Sequence, residues 1–331
     1  MIIKQKTNEL INNIPKIIIT MTTWTKRINS AEKIIEYIID NISGFDKLYL
    51  FLTKTEFEDL SKLPEKIQKF HNEKRIECVF LDKNYFAFKR WFVYPKHYDD
   101  IVISIDDDVY TPKDIIEQAK RCYLKTPEKT VYNLYDNLGG VFNINDNDIT
   151  VKYGEYKGKT YSYNKLYFFA QCIIMPKTFN LDIFNYNEIQ QKLAPYDDES
   201  WITYFLLKNN VKIDTLHYDF FNIPKIKDSS LSNASWIKLS RKCINFNINT
   251  RSLQFYIILR YFNYLDEFKK NNIYYNTNKY DKISLDDLID EYMSTTALPV
   301  DFNSTKKEIF YFDELKSLKD IYNDNINNMF L

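Results

Sequence analysis

The chain has 331 residues, 45% of them hydrophobic, enough to bury a substantial core in one large domain or two. Lys plus Arg and Asp plus Glu both number 45, so the formal net charge is zero and no basic excess points to a nucleic-acid partner. Cys78, Cys122, Cys172 and Cys243 lie far apart, which excludes a C-x-x-C unit and reads as small core hydrophobes, and no run approaches the roughly 18 apolar residues of a membrane helix.

The opening Met1-Ile2-Ile3-Lys4-Gln5-Lys6 turns polar at once and shows no cleavable signal. A cytoplasmic protein, with the inner face of a membrane as an alternative address, is expected. Lys16 to Thr23 reads as a buried strand that turns polar at its end. Ser30 to Ile39 has helical spacing, with Ser30 as the N-cap. Lys47 to Leu52 is a second strand, and Thr55 to Phe70 is helical or irregular around Pro64. Arg75 to Leu81 is a third strand closed by Asp82, and Ile101 to Ile105 a fourth. Strands alternating with helices over the first 125 residues or so predict an α/β fold with a largely parallel sheet.

After Thr126 the pattern changes. Val131 to Ser162 is rich in Tyr, Asn and Asp and reads as hairpins and loops. Phe168 to Pro176 is an apolar strand, Trp201 to Leu207 a helix, and Val211 to His217 a late strand. An aromatic helix is expected over Ser252 to Phe268, and Ser284 with Asp287 forms a variant capping box for another.

The chemistry concentrates where the fourth strand ends, in Asp106-Asp107-Asp108. Pro112 suits a first helical turn and the Thr111 hydroxyl its cap, so the carboxylates sit at a strand-to-helix junction, the ligand-binding edge of an open α/β sheet. Three adjacent like charges are costly to bury unpaired, and Mg²⁺ or Mn²⁺ with hard oxygen ligands relieves that cost. The competing reading is a solvated acidic turn. A second acidic turn, Asp197-Asp198-Glu199, precedes Trp201; it suits either a general base or simple capping of the following helix.

Three features in this order, Thr-Met-Thr-Thr-Trp-Thr-Lys-Arg-Ile from Thr20, Ser-Ile-Asp-Asp-Asp-Val-Tyr-Thr-Pro from Ser104, and the acidic turn before Trp201, resemble the GT-A glycosyltransferases of bacterial capsule and lipopolysaccharide clusters. The resemblance covers roughly Pro15 to Leu265. It implies a Rossmann-like GT-A domain over 1–265, with 266–331 as a helical C-terminal extension. It also implies a nucleotide-diphosphate sugar donor, Mn²⁺ or Mg²⁺, and a saccharide or lipid-linked saccharide acceptor, with inversion at the transferred sugar.

By the same resemblance the D-x-D motif falls on Asp106 to Asp108. Asp108 is then a metal ligand and Asp106 supports the metal or the donor ribose, while strand alternation leaves Asp107 less defined on the donor side. Thr20, Thr22 and Arg27 surround the nucleotide, with Arg27 reaching the diphosphate or else serving as a surface charge. Asp82 takes the place of a nucleotide-contacting acid. One of Lys89 and Arg90 faces the donor and the other lies at the surface. Asp198, then Glu199, then Asp197 rank as general base. His217 completes a metal shell or is merely structural.

Two alternatives belong to other classes. A HAD-like or other metal-dependent phosphohydrolase also places Asp-x-Asp after a strand, but Tyr110 stands where that pattern has Thr or Val. The other is a non-catalytic carbohydrate-binding protein. For the aromatic helix from Ser252, packing against the catalytic domain ranks before a homodimer contact, and that before a membrane-surface platform.

Overall fold

Short β-branched and aromatic runs form the framework. In the computed structural model, which describes residues 14–135, 139–144, 149–153, 165–167, 171–194, 197–218, 223–226, 243, 250–270 and 279–297, seven strands make one sheet of order β10-β5-β9-β4-β1-β2-β3. The strands are β1 (Ile17–Thr22), β2 (Lys47–Thr53), β3 (Glu77–Leu81), β4 (Ile101–Ser104), β5 (Thr130–Tyr135), β9 (Cys172–Ile174) and β10 (Lys212–Tyr218). Only β9 runs antiparallel to its neighbours among these pairings. The C-terminal ends of the six parallel strands therefore share one edge. A second sheet, order β7-β6-β8, joins β6 (Gly139–Ile144), β7 (Ile149–Tyr153) and β8 (Lys165–Tyr167) antiparallel.

Alternation along the strands divides the core. Ile17, Ile19 and Met21 of β1, with Ile101 and Ile103 of β4, face one layer, covered by α1 (Ile28–Asn41), α2 (Glu65–Asn72) and α3 (Ile115–Lys125). Ile18 and Val102 face the other. That second layer is built from a 3-10 segment, Phe86–His97, and from α4 (Asn187–Leu193), α5 (Asp198–Lys208), α6 (Thr250–Tyr261), α7 (Leu265–Lys270) and α8 (Leu285–Ala297). Because the sheet is covered on both faces, its strands read as continuous apolar runs.

The α/β class and the first four strands match the sequence reading, and local details differ. Ser30 lies inside α1, whose N-cap is Arg27. Thr111 caps nothing: α3 starts at Ile115 behind Asp114, and the Thr111 hydroxyl is buried without a partner among the described residues. Part of the stretch expected to form hairpins, β5, is instead recruited into the main sheet between β10 and β9. Of the strand expected from Phe168, only Cys172–Ile174 is formed among the described residues. The aromatic helix is two helices, α6 and α7, separated where Asn263 adopts φ 53°. Ser284 does cap α8, its Oγ accepting from the Asp287 amide at 3.1 Å. Of the helical extension expected over 266–331, residues 298–331 lie outside the described residues.

Thr250 to Leu259 of α6 are all buried, polar and apolar alike. A helix covered all round is a core element. Its apolar residues pack with α5, α7 and α8 in one cluster, so the described chain itself supplies the cover for this helix. No helix among the described residues is long and apolar enough to cross a membrane.

Candidate functional site

The loops after β1, β2 and β4 converge at the shared C-terminal edge. Asp106, Asp107 and Asp108 follow β4, and the three separate. Asp107, the member that alternation left undefined, is the most enclosed. Its Oδ2 accepts from the Thr23 hydroxyl at 2.6 Å and its Oδ1 pairs with Arg27 at 2.7 Å. Arg27 also pairs with Asp108. Asp106 and Asp108 keep 28% and 21% of their side-chain surface exposed, against 7% for Asp107. The two outer carboxylates are thus the ones that can meet a ligand, and the central one fixes the loop. The Asp108 carbonyl accepts from the Ile226 amide, and Val109 bridges to Lys225, which pins the far side of the loop.

Lys89 and Arg90 are both buried, so neither is the surface residue expected of one of them. Lys89 Nζ donates to Thr53 Oγ1 at 3.0 Å and Glu56 Oε2 at 3.2 Å, tying the loop after β2 to the 3-10 segment. Burial lowers its pKa, opposed by Glu56. Arg90 does something the sequence did not announce: one guanidinium joins the two acidic motifs. Its Nη1 donates to Asp106 at 2.5 Å and its Nε to Asp198 at 3.0 Å, although Asp198 lies 108 positions away. Trp91 Nε1 donates to the same Asp198 oxygen at 2.6 Å. The Asp198 Oδ1 takes no hydrogen bond among the described residues.

The acidic turn is a helix start with divided roles. Asp197 is the N-cap of α5, accepting from the Glu199 amide and, at 2.6 Å, from Ser200 Oγ. Arg251 of α6 donates to both Asp197 oxygens, at 2.8 and 2.9 Å, and also pairs with Glu199. Burial alone would raise the Asp197 pKa, but Arg251 holds it below the ordinary carboxylate value. For Glu199, burial wins and the pKa stands well above the ordinary value, with Arg251 opposing and Asp197 and Asp198 adding to the rise.

The remaining expected residues are placed elsewhere. Thr20 donates to the Arg90 carbonyl at 2.8 Å and Thr22 to the Phe51 carbonyl at 2.8 Å, so both hydroxyls brace the site from within. Asp82, at the end of β3, is exposed and pairs with Lys54 at 2.6 Å. His217 is exposed at a register shift in edge strand β10, with β5 and β9 between it and β4. Three strand spacings separate those strands, about 14 Å. It is not brought to the carboxylates: no three His, Cys, Asp or Glu among the described residues are grouped to hold a metal. Trp201, which follows the acidic turn, is buried in the core.

Among the described residues, Asp106, Asp107, Asp108 and Asp198 pair with Arg27 and Arg90. Burial pushes the Asp106 carboxyl up to about 7, Asp108 and Asp107 adding to the rise while Arg90 and Arg27 oppose it. Burial raises Asp107 as well, against Arg27. Burial works against the Arg27 charge, and the three carboxylates outweigh it, raising its pKa. This gives a signed expectation. A carboxyl whose folded pKa lies above the unfolded value stabilises the fold at low pH and loses that contribution as pH rises between about 4 and 7. In chelator, the urea midpoint attributable to Asp106 should therefore fall across that window, and Asp106→Asn should flatten the fall. A wild-type profile identical to that of Asp106→Asn would exclude this origin.

No protein-family model and no curated protein matches this chain. Solved structures to which it is similar include the 4-diphosphocytidyl-2C-methyl-D-erythritol synthase of Anaerococcus prevotii DSM 20548, at 16% identity and a TM-score of 0.42, covering 67% of this chain and 95% of that one. Residues 1–349 of S. aureus TarS are similar at 13% identity and a TM-score of 0.39, over 85% and 81% of the two chains. The inositol-1-phosphate CTP transferase of T. maritima is similar at 12% identity and 0.36, over 66% and 91%.

Proposed function

We propose that the chain is a glycosyltransferase of the GT-A type, transferring a sugar from a nucleotide-diphosphate donor to a saccharide acceptor. The observation that carries this reading is Arg90 shared between Asp106 and Asp198, because it joins an acidic strand end to a second carboxylate suited to proton transfer. The strand-end site lies where open α/β sheets bind nucleotides. A role in capsule or lipopolysaccharide assembly rests on the sequence resemblance alone.

A divalent cation fits the residues present. Asp106 and Asp108 are hard oxygen donors with exposed surface. Mg²⁺ is commonly held by one or two carboxylates completed by substrate phosphates, which a pair of aspartates satisfies without His217. When bound, such a cation neutralises the charge of a departing diphosphate. The residues of the chain do the rest. Thr23 and Arg27 hold Asp107, and with it the loop, in place. Arg90 and Trp91 orient Asp198, whose carboxylate is the first choice to accept the proton of the acceptor hydroxyl, with Glu199 beside it as the second. Inversion at the transferred sugar follows if the acceptor attacks directly from that side.

Calorimetry with UDP, GDP, CDP and dTDP, each with and without Mn²⁺, tests the reading. Cation-dependent binding of one nucleotide is expected, and Asp108→Asn should weaken it at least about tenfold by removing a ligand charge. Absence of binding to all four nucleotides, or equal affinity in Asp108→Asn, would reject it.

A further inference from the structure

Among the residues that build the acidic turn, Arg251 came from outside every motif. It sits in the first turn of α6, 4% exposed, and reaches back 54 positions to Asp197. The contact is a fork: Nε to Asp197 Oδ2 and Nη2 to Asp197 Oδ1, with Nη2 also on Glu199. Paired donors of this kind fix orientation as well as charge, which a lysine cannot reproduce. Two further bonds anchor the same helix to the turn. Gln254 Nε2 donates to the Asp197 carbonyl at 3.3 Å, and the Tyr292 hydroxyl of α8 donates to Gln254 Oε1 at 2.6 Å. Asp198 is held from the opposite side by Arg90 and Trp91. The turn is thus clamped between two arginines from distant parts of the chain.

We propose that Arg251 is a positioning residue of the reaction centre, fixing Asp197 as the cap of α5 and holding the Glu199 carboxylate beside Asp198. This rests on the transferase reading of the acidic turn. The charged and titratable groups facing Glu199 are Arg251 of α6, Asp197 and Asp198 of its own turn, Arg90 of the 3-10 segment and, more distantly, Cys172 of β9. Of the two cations, Arg251 alone contacts it directly. Loss of that cation leaves burial and the two aspartates acting against ionisation of Glu199, with Arg90 alone of the two cations still opposing them.

The test uses the full chain labelled at the glutamate carboxyl carbons, with the Glu199 resonance assigned by Glu199→Gln. Arg251→Gln should raise the Glu199 titration midpoint by on the order of one pH unit or more. In parallel, Mn²⁺-dependent hydrolysis of UDP-glucose, UDP-N-acetylglucosamine and GDP-mannose is measured, using whichever the wild type cleaves fastest. Arg251→Gln should lower kcat with KM unchanged. Arg251→Lys should restore the midpoint but not the fork, leaving kcat down roughly tenfold to a hundredfold. A midpoint and kcat that stay at wild-type values in folded variants would make Arg251 purely structural and overturn the proposal. If Arg251→Gln does not fold, Arg251→Lys decides: kcat at the wild-type value overturns the proposal, and a fall with KM unchanged supports it. A wild type that cleaves none of the three sugars counts against the transferase reading, and the carboxyl midpoint then decides on Arg251 alone.

Discussion

Arg90→Met should destabilise the fold by about 3–5 kcal/mol, the range for removing one partner of a buried ion pair. The guanidinium is 6% exposed and serves two carboxylates at once, so its loss leaves Asp198, 4% exposed, without its cation, while Asp106, at about 7 even beside Arg90, takes up a proton. Trp91 still donates to Asp198, but a neutral indole N–H does not offset a buried carboxylate. Methionine is unbranched and apolar, so it fills much of the vacated space, and the measured loss is mainly electrostatic. Two further outcomes follow. Stability of the variant should recover as pH falls, because protonation removes the stranded charge. Arg90→Lys should recover only part of the loss, since an ammonium group is a point charge and cannot present two fixed donors to carboxylates on opposite sides. Urea denaturation at neutral and acid pH measures all three. A neutral-pH loss under about 1 kcal/mol would mean that water reaches both carboxylates and that the pairing is weak.

The same residue shows where sequence reasoning stops. Strands β1 to β4 were legible because each is a short apolar run bounded by polar residues, and the acidic triplet because it interrupts such a run abruptly. These are local signals. The partners that organise the site are not local: Thr23 meets Asp107 across 84 positions, Arg90 meets Asp198 across 108, and Arg251 meets Asp197 across 54. No periodicity encodes such a meeting, and a buried arginine looks like a surface one until its carboxylates are found. Lys89 and Arg90 stand in an aromatic stretch, and that was the available clue that the segment is core. Thr111 shows the opposite failure. A good cap residue before proline was read as a cap, yet one further turn, Pro112 to Asp114, precedes α3, and the loop is stitched to 224–226 through Tyr110 and Asp108.

The exchange expected to affect turnover most is Asp198→Asn. The amide keeps nearly the shape of the carboxylate, and its oxygen can still accept from Arg90 and Trp91, so the turn should stay in place and donor binding should stay near the wild-type value. What the amide cannot do is take a proton. General-base catalysis contributes about 10²–10⁴-fold, and a fall in kcat of that size with KM for the donor unchanged is the expected result. Glu199 is the comparison. It is paired with Arg251, and burial keeps its pKa well above the ordinary carboxylate value, so it is a stronger base than an ordinary carboxylate but is protonated over more of the pH range. If Asp198 accepts the proton, Glu199→Gln should cost much less than Asp198→Asn, and the double variant little more than Asp198→Asn alone. If the larger loss falls on Glu199→Gln, the roles are exchanged, and Asp198 is then the residue whose ion pair with Arg90 ties the turn to the donor site. Equal wild-type kcat in both single variants would remove the acidic turn from the chemistry altogether.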